Sequence, residues 1–311
     1  MRRFHFLHWL TEVFLLASLL VLVSCGSFQV VASPELYVQY AGREVTFMPE
    51  NELHLQDSMF LTNMTRTKFY AILKKVRDVY TPIISRLGAR LKIIGRWEDS
   101  TVNAYAYQSG GTWYVEVFGG LARRPEVTAD GLALVVCHEL GHHVGGFPSY
   151  AGSWASSEGQ SDYFATQACA KKIWGRDYDE NEKAFALGSS EALRFCSNSR
   201  LSEQQKPLCV RTIDAATRLA RLLGEEAYVS VDNPDRTQVS RTQTSHPRGQ
   251  CRLDTYAQGA ICIVGWRDDM IPRTEAITEL YSCTRARGFP DGSRPRCWYK
   301  PSRGENNCMA D

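Results

Sequence analysis

The residues best suited to chemistry lie in one short stretch, His138-Glu139-Leu140-Gly141-His142. Side chains four residues apart lie one above the other on a helix, so the two imidazoles can bind one metal ion. Glu139 lies beside them, where it can reach a water on the metal without joining the ligand set. Neutral imidazole is a common zinc ligand. The stretch therefore predicts a hydrolytic zinc site with Glu139 as the general base.

Two carboxylates follow this stretch and are also four residues apart, Glu158 and Asp162. One can bind the metal while the other accepts the N–H of a ligand histidine, which fixes the tautomer of that ring. We assign Glu158 to the metal and Asp162 to the histidine. The alternative is that both are ordinary acids of a first helical turn, favoured there by the helix dipole. Three ligands leave a fourth position for water and predict one zinc ion per chain, although the same ligands accept other first-row metals.

Periodicity predicts the elements that would position these side chains, and together they give an α+β chain. The predicted helices run from Thr65 to Tyr80 before Pro82, from Thr128 to Gly145, from Ser157 (with Gln160 as its capping-box partner) into the early 170s, and from Ser202 to Leu223. A strand is expected at Arg90–Gly95 and a hairpin with a Gly-rich turn over 103–117. After Pro234 the sequence predicts short strands and turns.

Four segments in the same order resemble the zinc metallopeptidases of the HtpX and CAAX prenyl protease type, which are gluzincins. They are Cys137 to His143, Glu158 to Ala165, Asn103-Ala104-Tyr105-Ala106, and Ser245-His246-Pro247 with the following Arg252-Leu253. The resemblance implies a small sheet whose edge strand lies over the HExxH helix and a Glu-bearing helix. This chain departs from the family in lacking a set of transmembrane segments and in adding a cysteine-rich end. We therefore expect a soluble, exported branch.

The resemblance also suggests roles around the cleft. Asn103 to Ala106 carry small side chains at alternate positions, which suits an edge strand that pairs with an extended peptide. His246 is the first candidate to donate a hydrogen bond to the oxyanion, and Tyr163 is a weaker one. Two alternatives for His246 stay open: it could occupy the open zinc position and hold the enzyme latent, or it could be an ordinary turn histidine. His143 is turned about 100° from His142 around the helix, so we expect it to pack or to support a ligand.

The N-terminus predicts export. Residues 1–24 begin with two arginines and continue with an apolar run from Val13 to Val23, which is typical of a signal peptide and too short for a membrane span. The run ends at Leu22-Val23-Ser24-Cys25, which resembles a bacterial lipobox and implies a lipid on Cys25. The alternative is an ordinary signal peptide with a chance cysteine. The expected location is the bacterial outer membrane or periplasm.

Charge and cysteines complete the expectations. With 36 Lys+Arg against 34 Asp+Glu, the chain lacks the basic excess of a nucleic-acid binder. In an exported chain the ten cysteines suggest disulfides. Cys137 is expected to stay unpaired, and the expected local pairs are Cys251–Cys262 and Cys283–Cys297. Pairing of Cys169, Cys196, Cys209 and Cys308 is left open.

The expected organisation is a signal peptide over 1–24, a tether over 25–60, a metallopeptidase domain over 61–245 and a cysteine-rich extension over 246–311 that completes the cleft. We expect the disulfides of this extension to stabilise a weak core; the alternative is that the extension binds a substrate or partner. The predicted function is that of a lipid-anchored zinc endopeptidase acting on envelope proteins. The alternatives are an envelope assembly factor with little proteolysis and a zinc hydrolase acting on a non-peptide envelope polymer.

Overall fold

Strands and helices both contribute to the part of the chain that the computed structural model describes, residues 44–55, 63–224 and 228–302. The strands are β1 (Val45–Thr46), β2 (Arg90–Arg96), β3 (Ala104–Ser109) and β4 (Thr112–Phe118). The helices are α1 (Arg66–Arg86), α2 (Gly119–Ala122), α3 (Ala129–Val144), α4 (Glu158–Phe164), α5 (Lys171–Trp174), α6 (Tyr178–Ala186), α7 (Ser190–Ser197), α8 (Lys206–Gly224), α9 (Gly249–Ile261) and α10 (Glu275–Leu280). A π-helical segment, Ala165–Ala170, joins α4 to α5. The α+β class predicted from the sequence is confirmed.

The strands form one mixed sheet in the order β1-β3-β4-β2. The predicted hairpin is confirmed as β3 and β4, joined by Gly110 and Gly111 at φ values of 54° and 70°. Left-handed conformations at both positions are what a tight two-residue hairpin turn requires. β2 also forms as predicted and pairs in parallel with β4.

The prediction that Asn103 to Ala106 form a free edge strand is wrong. β1 pairs antiparallel with β3, so that Val45 lies opposite Ala106 and Thr46 opposite Tyr105. Asn103 fixes the same segment, because its side chain accepts a hydrogen bond from Met48 N at 3.0 Å and donates one to Met48 O at 3.3 Å. The sequence did not reveal this pairing because β1 is only two residues long and lies far from β3 in the chain.

Helix boundaries differ from the predictions at three places. α1 continues through Pro82 to Arg86, which brings Ile83 and Ile84 into the core. Burying two isoleucines gives about 3–6 kcal/mol, enough to offset the roughly 3 kcal/mol that an interior proline costs. α8 begins at Lys206 instead of Ser202, and the region after Pro234 contains α9 and α10 where short strands were expected. The capping box at Ser157 does not form, because Gln160 donates to Gly145 O instead.

The predicted tether and the predicted extension both contribute to the core around α3. Phe47, Met48 and Leu55 belong to the main hydrophobic cluster, and so do Leu253 and Tyr256 of α9. The described residues fall in a single compact unit. Among them, no helix combines the length and apolar character needed to cross a membrane.

Four disulfides connect the described cysteines, and they correct three of the predictions. The pairs are Cys137–Cys169, Cys196–Cys209, Cys251–Cys297 and Cys262–Cys283. Cys137 is bonded because the π-helical segment packs against α3. The expected Cys251–Cys262 pair fails because α9 begins beside the first cysteine and ends beside the second, which separates them by about 16 Å at 1.5 Å per residue. With those two bonded elsewhere, Cys283–Cys297 does not form either. Cys25 and Cys308 lie outside the described residues.

Candidate metal centre

The two histidines of the HExxH stretch share one face of α3, as the spacing predicts. The helix begins where the Thr128 side chain accepts a hydrogen bond from Gly131 N, and it ends at Val144 before Gly145. His138 and His142 are both completely buried, with ring centroids 4.7 Å apart. Their Nε2 atoms are 3.1 Å apart and face each other.

The outer nitrogen of each ring is held by an acceptor. His138 Nδ1 donates to Asp162 Oδ1 at 2.7 Å, and His142 Nδ1 donates to Ser156 O at 2.8 Å. With both protons on Nδ1, each Nε2 presents a lone pair to the other. Two lone pairs at this distance repel unless a cation lies against them, either a metal ion or a proton. The donor set therefore fits a metal ion bound through the two Nε2 atoms.

Two buried carboxylates converge on the same point. Both oxygens of Glu139 are buried and lack a hydrogen-bond partner among the described residues. Glu158 Oε2 lies 3.2 Å from His138 Nε2, and Glu158 Oε1 lies 3.7 Å from His142 Nε2. Ligand atoms of His138, Glu139 and His142 fall within 4.8 Å of one another. A His–His–Glu cluster that could hold a metal ion is present, and either carboxylate is near enough to be its glutamate.

Gly141 allows Glu158 to come this close. A Cβ at position 141 would lie 2.8 Å from Ser161 Cα and 2.9 Å from Ser161 O, both atoms of the α4 backbone. Helix backbones can approach this closely only where one of them carries no side chain. The glycine inside the HExxH stretch therefore sets the spacing between α3 and α4, and with it the distance between the histidines and Glu158.

Asp162 supports His138 from the other side. The same carboxylate forms a bidentate ion pair with Arg252 of α9, in which Nε donates to Oδ2 and Nη2 to Oδ1, both at 2.8 Å. Arg252 is completely buried and also donates from Nη1 to Phe47 O at 2.9 Å. The predicted contact of Asp162 with a ligand histidine is therefore present in the structure. Arg252 lay within the quoted motif, but no role was predicted for it.

The charges around the two histidines move their pKa values in opposite directions. Burial lowers the pKa of His138, but the Asp162 carboxylate outweighs burial and raises it to about 9. Burial lowers the pKa of His142 to about 4, against the opposing effect of Glu158. Burial raises the pKa of Glu158, yet the neighbouring histidines, His142 first, hold it well below its usual range. Burial also raises the pKa of Glu139 well above its ordinary value. The raised pKa favours a proton on His138 in the metal-free protein, where its Nε2 lies 3.2 Å from Glu158 Oε2.

His246 lies beside the cluster and makes two contacts through its Nε2. This atom donates to Thr46 O at 2.8 Å and lies 3.2 Å from Glu158 Oε2. Burial lowers the pKa of His246, although Glu158 opposes the shift. His246 is therefore a neutral donor directed at a backbone carbonyl beside the cluster.

Two other candidates have structural roles. Tyr163 donates from its hydroxyl to Gly292 O at 2.6 Å and accepts a hydrogen bond from Cys283 N, so it binds the C-terminal region and is not the oxyanion donor considered for it. His143 stacks between Trp113 and Trp154. Its Nε2 also donates to Tyr114 O at 2.9 Å, which confirms packing for His143.

Tyr150 belongs to the centre and was not predicted. Its hydroxyl donates to Glu158 Oε1 at 2.7 Å. This bond leaves Oε2, which lacks a hydrogen-bond partner among the described residues, directed at His138. A single tyrosine in an irregular connection between two helices carries no sequence signal that would have singled it out.

Comparisons of the chain with family models, with curated proteins and with solved structures find no match. The resemblance to gluzincins rests on the quoted motifs. Within the described residues, three of the four motifs contribute side chains at or next to the same buried cluster: His138 and His142, Glu158 and Asp162, and His246 with Arg252. Asn103, from the fourth motif, binds the Met48 backbone instead.

Proposed function

We propose that this chain is a zinc-dependent endopeptidase of the bacterial cell envelope. The observation that carries the proposal is the meeting of His138 Nε2 and His142 Nε2 with the two carboxylate oxygens of Glu158, beside the carboxylate of Glu139, which lacks a hydrogen-bond partner among the described residues. Two imidazoles and one carboxylate are a common protein ligand set for catalytic zinc, in which the fourth position stays open. His138, His142 and Glu158 would hold the ion. When bound, zinc supplies Lewis-acid polarisation of the scissile carbonyl and lowers the pKa of water.

The remaining chemistry belongs to side chains of this chain. Glu139 accepts a proton from the attacking water at its carboxylate and delivers it to the nitrogen of the leaving amine as the C–N bond breaks. Because its oxygens make no competing hydrogen bond within the described residues, Glu139 is available for this transfer. His246 Nε2–H is placed to donate to a substrate carbonyl, since it already donates to that of Thr46. Tyr150 and Asp162 orient Glu158 and His138.

The proposed location is the periplasmic side of the envelope, with a lipid anchor at Cys25. The lipobox-like sequence supports the anchor, and four disulfides support an oxidising compartment. Wild-type protein should fractionate with membranes and carry a fatty-acyl modification that mass spectrometry detects. Cys25→Ala should release the protein into the soluble fraction. Wild-type protein that is wholly soluble and unmodified would contradict the anchor.

A second candidate function is that of an envelope assembly factor that keeps this centre but cleaves little. One observation favours it: His138, Glu139, His142 and Glu158 are all 0% exposed, so the cluster is closed to a polypeptide as it stands. The intact arrangement of ligands and base favours the endopeptidase.

Glu139→Gln separates the two functions. It should abolish hydrolysis of casein or envelope proteins by residues 26–311 while zinc remains at one ion per chain, because it removes the base and no ligand. His138→Ala and Glu158→Ala should instead lose the metal, as measured by elemental analysis. Near-normal turnover in Glu139→Gln would contradict the mechanism. A zinc-loaded wild type that cleaves neither substrate would favour the assembly factor.

A further inference from the structure

β1 lies where an extended peptide would pair with β3. Its register continues beyond the two strand residues, because Phe47 N donates to Ala104 O at 3.0 Å. Main-chain pairing of this kind is how sheet edges recognise extended peptides in general. β1 thus covers the strand that a substrate would use.

The backbone of the same segment is bound by side chains of the metal centre. Thr46 O accepts a hydrogen bond from His246, and Phe47 O accepts one from Arg252. His246 also lies 3.2 Å from Glu158 Oε2, which places the Thr46 carbonyl next to a candidate zinc ligand. An ordinary edge strand needs only its neighbouring strand, whereas this one is also held by His246, which is proposed to act on a substrate, and by Arg252, the ion-pair partner of Asp162.

The side chains of the segment close the centre. The Phe47 ring contacts the edge of the His138 ring at a centroid distance of 5.2 Å, and Phe47 is 0% exposed. Val45 packs against Ala106 and Ala155 in a separate small cluster. Hydrolysis of another polypeptide requires this segment to leave, because its main chain and its aromatic ring fill the space beside the histidines.

We propose that residues 45–48 are an internal competitor that occupies the substrate-binding strand position, and that substrate enters only when they are displaced. The proposal rests on the endopeptidase function. It also specifies the substrate class: an extended polypeptide segment with a bulky apolar side chain where Phe47 lies and a carbonyl that accepts from His246.

The first test measures peptide binding in the Glu139→Gln background, where no hydrolysis can occur. The probe is a fluorescent peptide with the sequence of residues 44–48. We expect Phe47→Ala to bind it at least tenfold more tightly than the parent, because the internal segment then competes less well. The matched control is Leu55→Ala, which shortens another buried side chain of the same N-terminal region. The Leu55→Ala protein should bind the probe as tightly as the parent does. A probe peptide with Ala in place of Phe should bind more weakly than the original probe.

The second test fixes the segment in place, so that it does not depend on a destabilised variant. Val45 and Ala106 lie directly opposite each other, within the range that a disulfide can span. Val45→Cys/Ala106→Cys, again with Glu139→Gln, should bind the probe at least tenfold more weakly when oxidised than when mildly reduced. The protein without the two new cysteines, under the same reductant, controls for the native disulfides.

The outcomes separate the two proposals. Probe binding within twofold of the parent in Phe47→Ala, or equal binding by the oxidised and reduced double-cysteine protein, would overturn the competitor role and make β1 a fixed part of the fold. Tighter binding in Phe47→Ala, without cleavage of any polypeptide once Glu139 is restored, would support the competitor role and refute the endopeptidase. Tighter binding together with at least tenfold faster cleavage would support both.

Discussion

Asp162→Asn tests whether the buried ion pair behind His138 supports both the fold and the metal. The carboxylate accepts three charge-assisted hydrogen bonds, at 2.7 Å from His138 Nδ1 and at 2.8 Å from each of two Arg252 nitrogens. Asparagine keeps the shape and one acceptor oxygen but removes the negative charge. Arg252, which is 0% exposed, then remains as a buried cation without its counter-ion.

The expected magnitudes follow from these contacts. Removing one partner of a buried ion pair costs about 3–5 kcal/mol. Because the amide still accepts one hydrogen bond, we expect the free energy of unfolding of the metal-free protein to fall by about 3 kcal/mol, the lower end of that range. Loss of an acceptor behind a ligand histidine weakens metal binding by about 10–100-fold, or roughly 1.4–2.7 kcal/mol.

Two measurements and one control separate these effects. Chemical denaturation in the presence of a chelator gives the free energy of unfolding, and competition with a chromophoric chelator gives the zinc dissociation constant. The control is Asp254→Asn. Asp254 lies on α9, and its largely buried carboxylate accepts a hydrogen bond from Asp235 N at 2.7 Å. This variant should leave zinc affinity within about twofold.

A pH series checks the sign. Burial raises the pKa of Asp162, but Arg252 and His138 outweigh burial and lower it below its ordinary value. A lowered pKa contributes stability above the unfolded value and loses it as the pH falls through the folded one. Wild type should therefore lose this contribution below about pH 4, while Asp162→Asn lacks it throughout.

Unchanged zinc affinity in Asp162→Asn would refute the proposed support of His138 by Asp162. Complete loss of zinc there, together with near-normal binding in Glu158→Gln, would exchange the two assignments.

Three further predictions concern the centre. Because the pKa of His138 is raised to about 9, zinc binding at pH 7 should release about one proton, which calorimetry in buffers of different ionisation enthalpy would detect. Zinc affinity should rise about tenfold per pH unit up to about pH 9. Zinc binding without proton release would contradict this. Tyr150→Phe, which removes one hydrogen bond to Glu158 Oε1, should weaken zinc binding by about 10-fold, whereas Tyr178→Phe at an exposed site should not. His246→Ala should lower turnover by about 10²–10³-fold with zinc retained if it is an oxyanion donor; unchanged or faster turnover would remove it from the catalytic residues.

The histidine pair and the two carboxylates could be predicted because they depend on local spacing. Residues four apart on a helix meet whatever the rest of the chain does, so His138 with His142 and Glu158 with Asp162 needed only correct helices. The hairpin of β3 and β4 was predictable for the same reason, since its glycines define the turn. The class of site is thus encoded within short windows of sequence.

The supports of the site come from distant segments that no local pattern connects. Arg252 reaches Asp162 across 90 positions, and His246 reaches Thr46 across 200. The predicted disulfide pairing was wrong for the same reason. Closeness in sequence favoured a bond between Cys251 and Cys262, whereas helix α9 lies between these cysteines and its length keeps them apart. Tertiary packing decided each of these contacts.

The edge strand shows what such distant contacts do to a functional prediction. From the sequence, Asn103 to Ala106 were expected to offer an open edge for a peptide, whereas in the structure β1 pairs with that strand. Unpaired strand edges are sites where other chains add, and proteins protect them by pairing or covering them. Here the cover is a piece of the same chain, bound by Asn103, His246 and Arg252 and positioned against His138 through Phe47. His246, the proposed donor to a substrate carbonyl, therefore also holds the segment that excludes a substrate, so loosening that segment and improving substrate access are one physical event.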